Sequence, residues 1–268
     1  MIFFPRGTEI ETVREHLEIG SNEKLAVISD NHLGDSPERY EAYIHFLSGE
    51  LGSYNHIFWL GDLFDEWDND TESALKIFSL IKEHLPYSIH HYVYGNHDPK
   101  VRFWGGEDEK LTEIGVRTRA HILTVQAGRN LMRMEHGDRM APPMHERIPV
   151  PKFDFFGKAA SKFEGGLLKR LALVLPSLKL TSSNQVIKNW MMKHPDDLAP
   201  NAAHIFGHTH ELEVNPGFTM GGLINGFYNS GSASGLSIDR RVNYLSIENG
   251  EISSHSPFLP LNVILPWG

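Results

Sequence analysis

Short apolar runs that each stop at a polar group recur along this chain, and that recurrence restricts the fold more than any other feature. Leu25-Ala26-Val27-Ile28 leads to Asp30-Asn31-His32, and His56-Ile57-Phe58-Trp59-Leu60 leads to Gly61-Asp62. Ile89 through Tyr94 leads to Gly95-Asn96-His97-Asp98, Leu131 through Met134 to His136-Gly137-Asp138, and Ala203 through Phe206 to Gly207-His208-Thr209-His210. Brief runs rich in branched and aromatic residues read as buried strands. Between the first three lie stretches of helical spacing. Tyr40, Tyr43, Ile44 and Leu47 share a face over 37–47, as do Leu75, Phe78 and Ile81 over 71–85. Crossovers of that length join parallel strands. Ligands in parallel sheets gather beyond the carboxyl ends of the strands, so the polar groups are expected to converge on one cleft. The turn Asn229-Ser230-Gly231-Ser232 is expected beside the His208/His210 loop.

These groups offer carboxylate, imidazole and amide donors and no thiolate, a set that suits Mn, Fe, Zn, Mg or Co rather than a cluster or a closed structural zinc site. Glycine before Asp62, Asn96 and His208 fits tight turns with close backbone approach. A single Gly-Asp or Asp-x-His is common, and Asn96-His97-Asp98 alone reads as a turn with an Asx cap. Their joint occurrence, in order and at strand ends, points to a metal site. The remaining eleven histidines, among them His45, His84, His90, His91, His145, His194 and His204, read as surface or core residues.

Composition fits one compact enzyme. The 268 residues are 40% hydrophobic, enough for a sizeable core, and no low-complexity linker or internal repeat divides them. The absence of cysteine is compatible with a reducing cytoplasm. The opening apolar run is too short for a signal peptide and no run approaches a membrane span, so a cytoplasmic protein is expected. A net charge of -9 argues against a general nucleic-acid binder.

The gap between His136 and His208 has a different character. After Pro142-Pro143, Pro149 and Pro151, residues 152–194 read as two or three short helices with an apolar stripe through Phe156, Ala160, Phe163 and Leu167 and then Leu168, Leu171, Val174 with Leu175, and Leu178. Residues 150–194 hold eight basic side chains against two acidic ones, a surplus of six in an acidic chain. An insertion at about 142–198 of this kind is either a lid over an acyl chain at an anionic membrane surface, or a helical cap with solvated lysines. The candidate lid contacts are Lys162, Lys169, Arg170, Leu168 and Leu171.

In order, the motifs D-x-H, G-D, G-N-H-D, H and G-H-x-H, from about Lys24 to Ser232, resemble the calcineurin-like metallophosphoesterases. The resemblance implies a single domain over 1–268, an α/β four-layer αββα sandwich with a helical insertion, in which the last strands, between Gly222 and Glu248, close the second sheet. It also implies two divalent ions, Mn foremost. Asp30, His32, Asp62 and His210 would hold one, Asp62, Asn96, His136 and His208 the other, with Asp62 as the bridge. His97 is the implied general acid or charge stabiliser, oriented by Asp98, in the hydrolysis of a phosphoester. Within that group, Gly61-Asp62-Leu63-Phe64-Asp65-Glu66-Trp67 and the Leu171–Pro176 run resemble the UDP-2,3-diacylglucosamine pyrophosphatases of lipid A synthesis. The implied substrate is then a lipid-linked nucleotide-sugar met at the membrane periphery. Many of those enzymes carry arginine where this chain has His97. The alternatives are a soluble phosphatase or phosphodiesterase for nucleotides or small esters, and a non-catalytic scaffold of the same fold.

Overall fold

The computed structural model describes residues 12–33, 37–64, 71–96, 98, 108–141, 183–220, 223–233, 240–260 and 263. His97 and most of the insertion, including Lys162, Leu168, Lys169, Arg170 and Leu171, lie outside these residues.

Two six-stranded sheets face each other. In the first, β2 (Leu25–Ile28), β3 (His56–Leu60), β4 (Ile89–Val93) and β5 (Val116–Ala120) run parallel. Helices α1 (Pro37–Leu51) and α2 (Thr71–His84) make the first two crossovers, as the helical spacing predicts, and the short α3 (Asp108–Glu113) precedes β5. The antiparallel pair β13 (Tyr244–Glu248) and β14 (Glu251–His255) extends this sheet beside β2. In the second, β1 (Arg14–Ile19), β6 (Ile122–Ala127), β7 (Asn130–Glu135), β8 (Ala203–Phe206), β12 (Phe227–Asn229) and β9 (Glu213–Asn215) lie in that order. Strands β7, β8 and β12 are mutually parallel. A separate antiparallel ribbon joins β10 (Thr219–Met220) to β11 (Leu223–Ile224).

The segment from Gly222 to Glu248 therefore does not close one sheet. Its strand β11 belongs to the ribbon, β12 pairs with β8 in the second sheet, and β13 pairs with β2 in the first. The β12 and β13 runs are wholly or largely buried, so hydrophobic content does not tell which sheet takes them.

Side-chain alternation assigns the layers. Leu25, Val27, Phe58 and Leu60 point between the sheets and meet Leu123, Val125, Met132, Met134 and Ile205. Ala26, Ile28, Ile57 and Trp59 point the other way, onto Tyr40, Tyr43, Ile44 and Leu47 of α1 and Ala74, Ile77, Phe78 and Ile81 of α2. Leu75 lies at the margin of that face. On the far side of the second sheet, helix α4 (Asn184–Lys193) lays Ile187 and Met191 on Phe206 and Phe227. The order is helices, sheet, sheet, helix. Each fully buried Leu, Ile, Val or Phe adds about 1.5–3 kcal/mol of transfer free energy, which fixes the strand ends relative to one another.

Candidate metal centre

The predicted groups all sit just past the carboxyl ends of parallel strands. Asp30 follows β2, Asp62 β3, Asn96 β4, His136 β7, His208 β8 and Ser230 β12. Two sets of donors result, Asp30 with His32 and His210, and Asp62 with His136 and His208, the ligand atoms of each set lying within 4.8 Å of one another. The sets touch: Asp62 Oδ2 is 3.1 Å from His136 Nε2 and 4.0 Å from His32 Nε2. His210 Nε2 lies 3.1 Å from Asp30 Oδ1 and 3.4 Å from His32 Nε2. Asp62 thus stands between the two sets, where a bridging carboxylate belongs.

The backbone is what turns these side chains together. Asp30 (φ 55°), His32 (φ 49°), Asp62 (φ 51°), His208 (φ 67°) and His210 (φ 60°) all occupy the left-handed region. Such a conformation costs on the order of 1–3 kcal/mol per non-glycine residue and persists only where the surroundings over-determine it. The determinants are present. Asp30 N–H donates to the Gly61 carbonyl (3.0 Å) and His32 N–H to that of Asp62 (2.9 Å), while His208 N–H donates to Asp30 Oδ2 (2.9 Å). Glycine is required for close approach at two of these turns. A Cβ on Gly95 would run into the Asp62 carboxylate, and one on Gly207 would sit 2.8 Å from Asp30 Oδ2.

Hydrogen bonds also orient the rings. His136 Nδ1 faces the Leu60 carbonyl at 2.9 Å, which makes Nδ1 the donor there and turns Nε2 toward Asp62. His208 Nε2 lies 2.7 Å from the Ala141 carbonyl, leaving Nδ1 as its free nitrogen.

Asp98, expected beside His97, spends its carboxylate on the backbone. Oδ2 accepts from Asp62 N–H (2.9 Å) and Gly95 N–H (2.7 Å), and Oδ1 accepts from Phe64 N–H (3.2 Å). It ties the Asp62 turn to the Asn96 turn. The Asn229–Ser232 turn lies where the sequence places it. Asn229 Nδ2 donates to the Gly207 carbonyl (2.8 Å), and Ser232 Oγ to that of Asp30 (3.1 Å).

Sequence reasoning missed Ser29, whose hydroxyl reaches Asp30 Oδ2, Ser230 Oγ and the Gly231 carbonyl. Its signal was a polar residue interrupting the apolar run one step before Asp30. Asn31, by contrast, turns away from the cleft and accepts from the Tyr43 hydroxyl at 2.8 Å. Phe64 of the Gly61–Trp67 segment is a core residue packed on Phe78 and Tyr92.

The electrostatics favour a positive centre. Burial acts against the charged form of Asp30, yet His210 and His136 outweigh it and carry the carboxyl down to about 2. Burial likewise opposes the imidazolium of His136, but the Asp62 carboxylate holds its pKa well above the ordinary range. At His208 burial dominates, reinforced by His136, and the pKa falls. Among the described residues, Asn96 Oδ1 is buried without a hydrogen-bond partner, while the buried Asp30 Oδ1 and His136 Nε2 face His210 Nε2 and Asp62 Oδ2 respectively, each at 3.1 Å. Two buried carboxylates that each face imidazole nitrogens fit divalent cations, which these donor types hold.

Comparison with known proteins agrees with this geometry. Residues 23–212 match the family described as calcineurin-like phosphoesterase. The fold and paired ligand sets define a dinuclear metallophosphoesterase architecture, and the chain belongs to the calcineurin-like phosphoesterase family, metal-dependent hydrolases of phosphoric esters. A search of curated proteins returned no match. Similar solved structures include TT1561 of Thermus thermophilus, at 13% identity and TM-score 0.46, with 88% of this chain and 99% of that one covered. Another is the cold-active protein-tyrosine phosphatase of a psychrophilic Shewanella species, at 14% identity and TM-score 0.41, with 89% and 81% covered. No described helix is long and apolar enough to cross a membrane.

Proposed function

We propose that this phosphoesterase hydrolyses the pyrophosphate bond of a lipid-linked nucleotide-sugar such as UDP-2,3-diacylglucosamine, releasing UMP and the lipid monophosphate, at the cytoplasmic face of a membrane. The observation that carries the hydrolytic part is the meeting of two ligand sets at Asp62. Asp30, His32 and His210 would hold one divalent ion and Asp62, His136 and His208 another, Mn foremost, and such ions would supply an activated water and a clamp for phosphoryl charge. The chain's own groups do the positioning. Asp62 and Asp30 fix the two sets relative to each other, Asn96 presents its amide oxygen, and Asp98 holds the turns that carry them. His97 is assigned proton donation or charge stabilisation at the transferring phosphoryl group.

The lipid-linked substrate rests on the sequence. The Gly61–Trp67 segment and the basic, apolar stretch 150–194 favour it. Against it stands His97 in an otherwise complete Asn96-His97-Asp98 motif, which favours a soluble phosphodiesterase for nucleotides or small esters. Turnover of UDP-2,3-diacylglucosamine, nucleotides and a chromogenic phosphodiester by the purified protein separates the two. Charge reversal at Lys162, Lys169 and Arg170, or Leu168→Ser with Leu171→Ser, is expected to lower turnover of the lipid substrate and liposome binding while sparing the soluble ester. Equal loss on both substrates, or no loss on either, moves the assignment to the soluble enzyme.

A further inference from the structure

The loop that carries His208 and His210 serves both ligand sets, and both residues hold left-handed backbone around a single buried residue, Thr209. Thr209 is anchored by a side chain outside the ligand motifs. Asn184, the first residue of α4 and itself only 5% exposed, accepts at Oδ1 from the Thr209 hydroxyl and from Asn229 Nδ2 (2.9 Å). Its Nδ2 donates to the Glu211 carbonyl (3.0 Å) and to Glu213 Oε2 (3.0 Å). Every donor and acceptor of the amide is used. The opposite amide orientation would set two donors against each other at Asn229 and two acceptors against each other at Glu211 and Glu213, so the network fixes the assignment.

The same loop returns the interaction. Ser183, at the N-cap of α4, makes no side-chain capping bond, and Glu211 instead accepts from Asn184 N–H (2.9 Å). Asn229 closes the ring by donating to Thr209 Oγ1 (3.0 Å) and to the Gly207 carbonyl (2.8 Å). The bonds of this ring fall on the residues before, between and after the two histidines.

We propose that Asn184 is a positioning residue for metal binding: through Thr209 and Asn229 it holds the strained Gly207–His210 loop in the conformation that presents His208 to one ligand set and His210 to the other. The inference rests on the dinuclear-metal reading above. Loss of the amide releases two left-handed residues from their restraint, and the loop relaxes away from the ligand geometry.

Calorimetric titration of the metal-stripped full chain with Mn²⁺ tests this. Asn184→Ala and Thr209→Val are expected to weaken Mn²⁺ binding by about 10- to 100-fold, the usual consequence of removing a partner that orients ligands. Thr209→Ser keeps the hydroxyl and stays close to wild type. Unchanged Mn²⁺ affinity in folded Asn184→Ala and Thr209→Val, or equal losses in Thr209→Ser and Thr209→Val, overturns the proposal. If Asn184→Ala shows no cooperative thermal transition, Thr209→Val decides, since it exchanges one hydroxyl for a methyl at constant shape. Failure of the wild type to bind Mn²⁺, Zn²⁺, Fe²⁺, Co²⁺ and Mg²⁺ alike overturns the metal reading itself and the inference with it, whereas a difference confined to the variants bears on Asn184 alone.

Discussion

His136 and His91 are both sealed from solvent, and the protein treats them in opposite ways. His136 lies past the end of β7, 3.1 Å from the Asp62 carboxylate, and its pKa is driven well up. His91 lies within β4, stacked on Phe58 with ring centroids 4.6 Å apart and bonded to His56 Nδ1 at 2.9 Å. Burial, with the nearby His56, takes its pKa down to about 3. His91 keeps one buried nitrogen, Nδ1, without a hydrogen-bond partner and has no carboxylate beside it among the bonds it makes. An orphaned imidazole nitrogen is therefore no mark of a metal site. What marks one is its convergence with other lone pairs and with buried carboxylates. Among the described residues, the carboxyl ends of the strands provide that convergence.

The largest effect expected on the cleft side is that of Asp62→Ala. It should lose both ions and fall to background turnover, checked by elemental analysis and phosphodiester hydrolysis. Retention of both ions would separate the two ligand sets that Asp62 joins here. His97→Ala should keep both ions and lose on the order of a hundredfold or more in turnover, the size of an acid-base or charge-stabilising contribution. Metal loss in that variant would make His97 a ligand instead.

Asp98→Asn sharpens the contrast between holding backbone and doing chemistry. Its amide cannot accept at both ends as the carboxylate does, and each buried N–H left without a partner costs about 1–3 kcal/mol. A clear drop in melting temperature of the metal-free protein is expected. Unchanged stability with lost turnover would return Asp98 to a purely catalytic role.

The core histidines should appear as acid sensitivity. His90 and His204 are lowered to about 4, chiefly by burial, and His91 to about 3. Below pH 6.5 the unfolded chain binds protons at these sites that the folded chain refuses, so stability is intact above that pH and falls as pH drops. Each histidine contributes a slope of up to about 1.4 kcal/mol per pH unit until its folded pKa is reached. Urea midpoints of the metal-free protein should decline from pH 6.5 toward 4, and His91→Phe should flatten that decline while leaving Mn²⁺ binding at pH 7 unchanged. Loss of Mn²⁺ binding in His91→Phe would abolish the distinction between the two histidine classes.

Much of the cleft was legible in the residues themselves. The apolar runs ending at Asp30, Asp62, Asn96, His136 and His208 set strand identity, because a buried strand must be continuously apolar, and crossover length set the parallel order of β2, β3 and β4. The two helices followed from spacing alone, expected over 37–47 and 71–85 and found over 37–51 and 71–84. The strands β1, β5 and β6 were not read, and two of them show why. Val116–Ala120 has burial broken by half-exposed positions and Arg14–Ile19 lies mostly exposed at a sheet edge, so neither leaves a strong pattern.

The sequence by itself determined which side chains are available as ligands and that they lie at strand ends. Tertiary structure decided the rest: which sheet takes β12 and which takes β13, that Asp98 clamps backbone, and that Ser29 and Asn184 brace the turns on which the ligands sit. It also decided that five of the candidate ligands hold left-handed backbone. The physical reason is common to all of these. Strand identity and ligand chemistry are local properties of a few consecutive residues. Sheet membership, hydrogen-bond partners and tolerated strain depend on what distant segments bring alongside, and no local pattern records that.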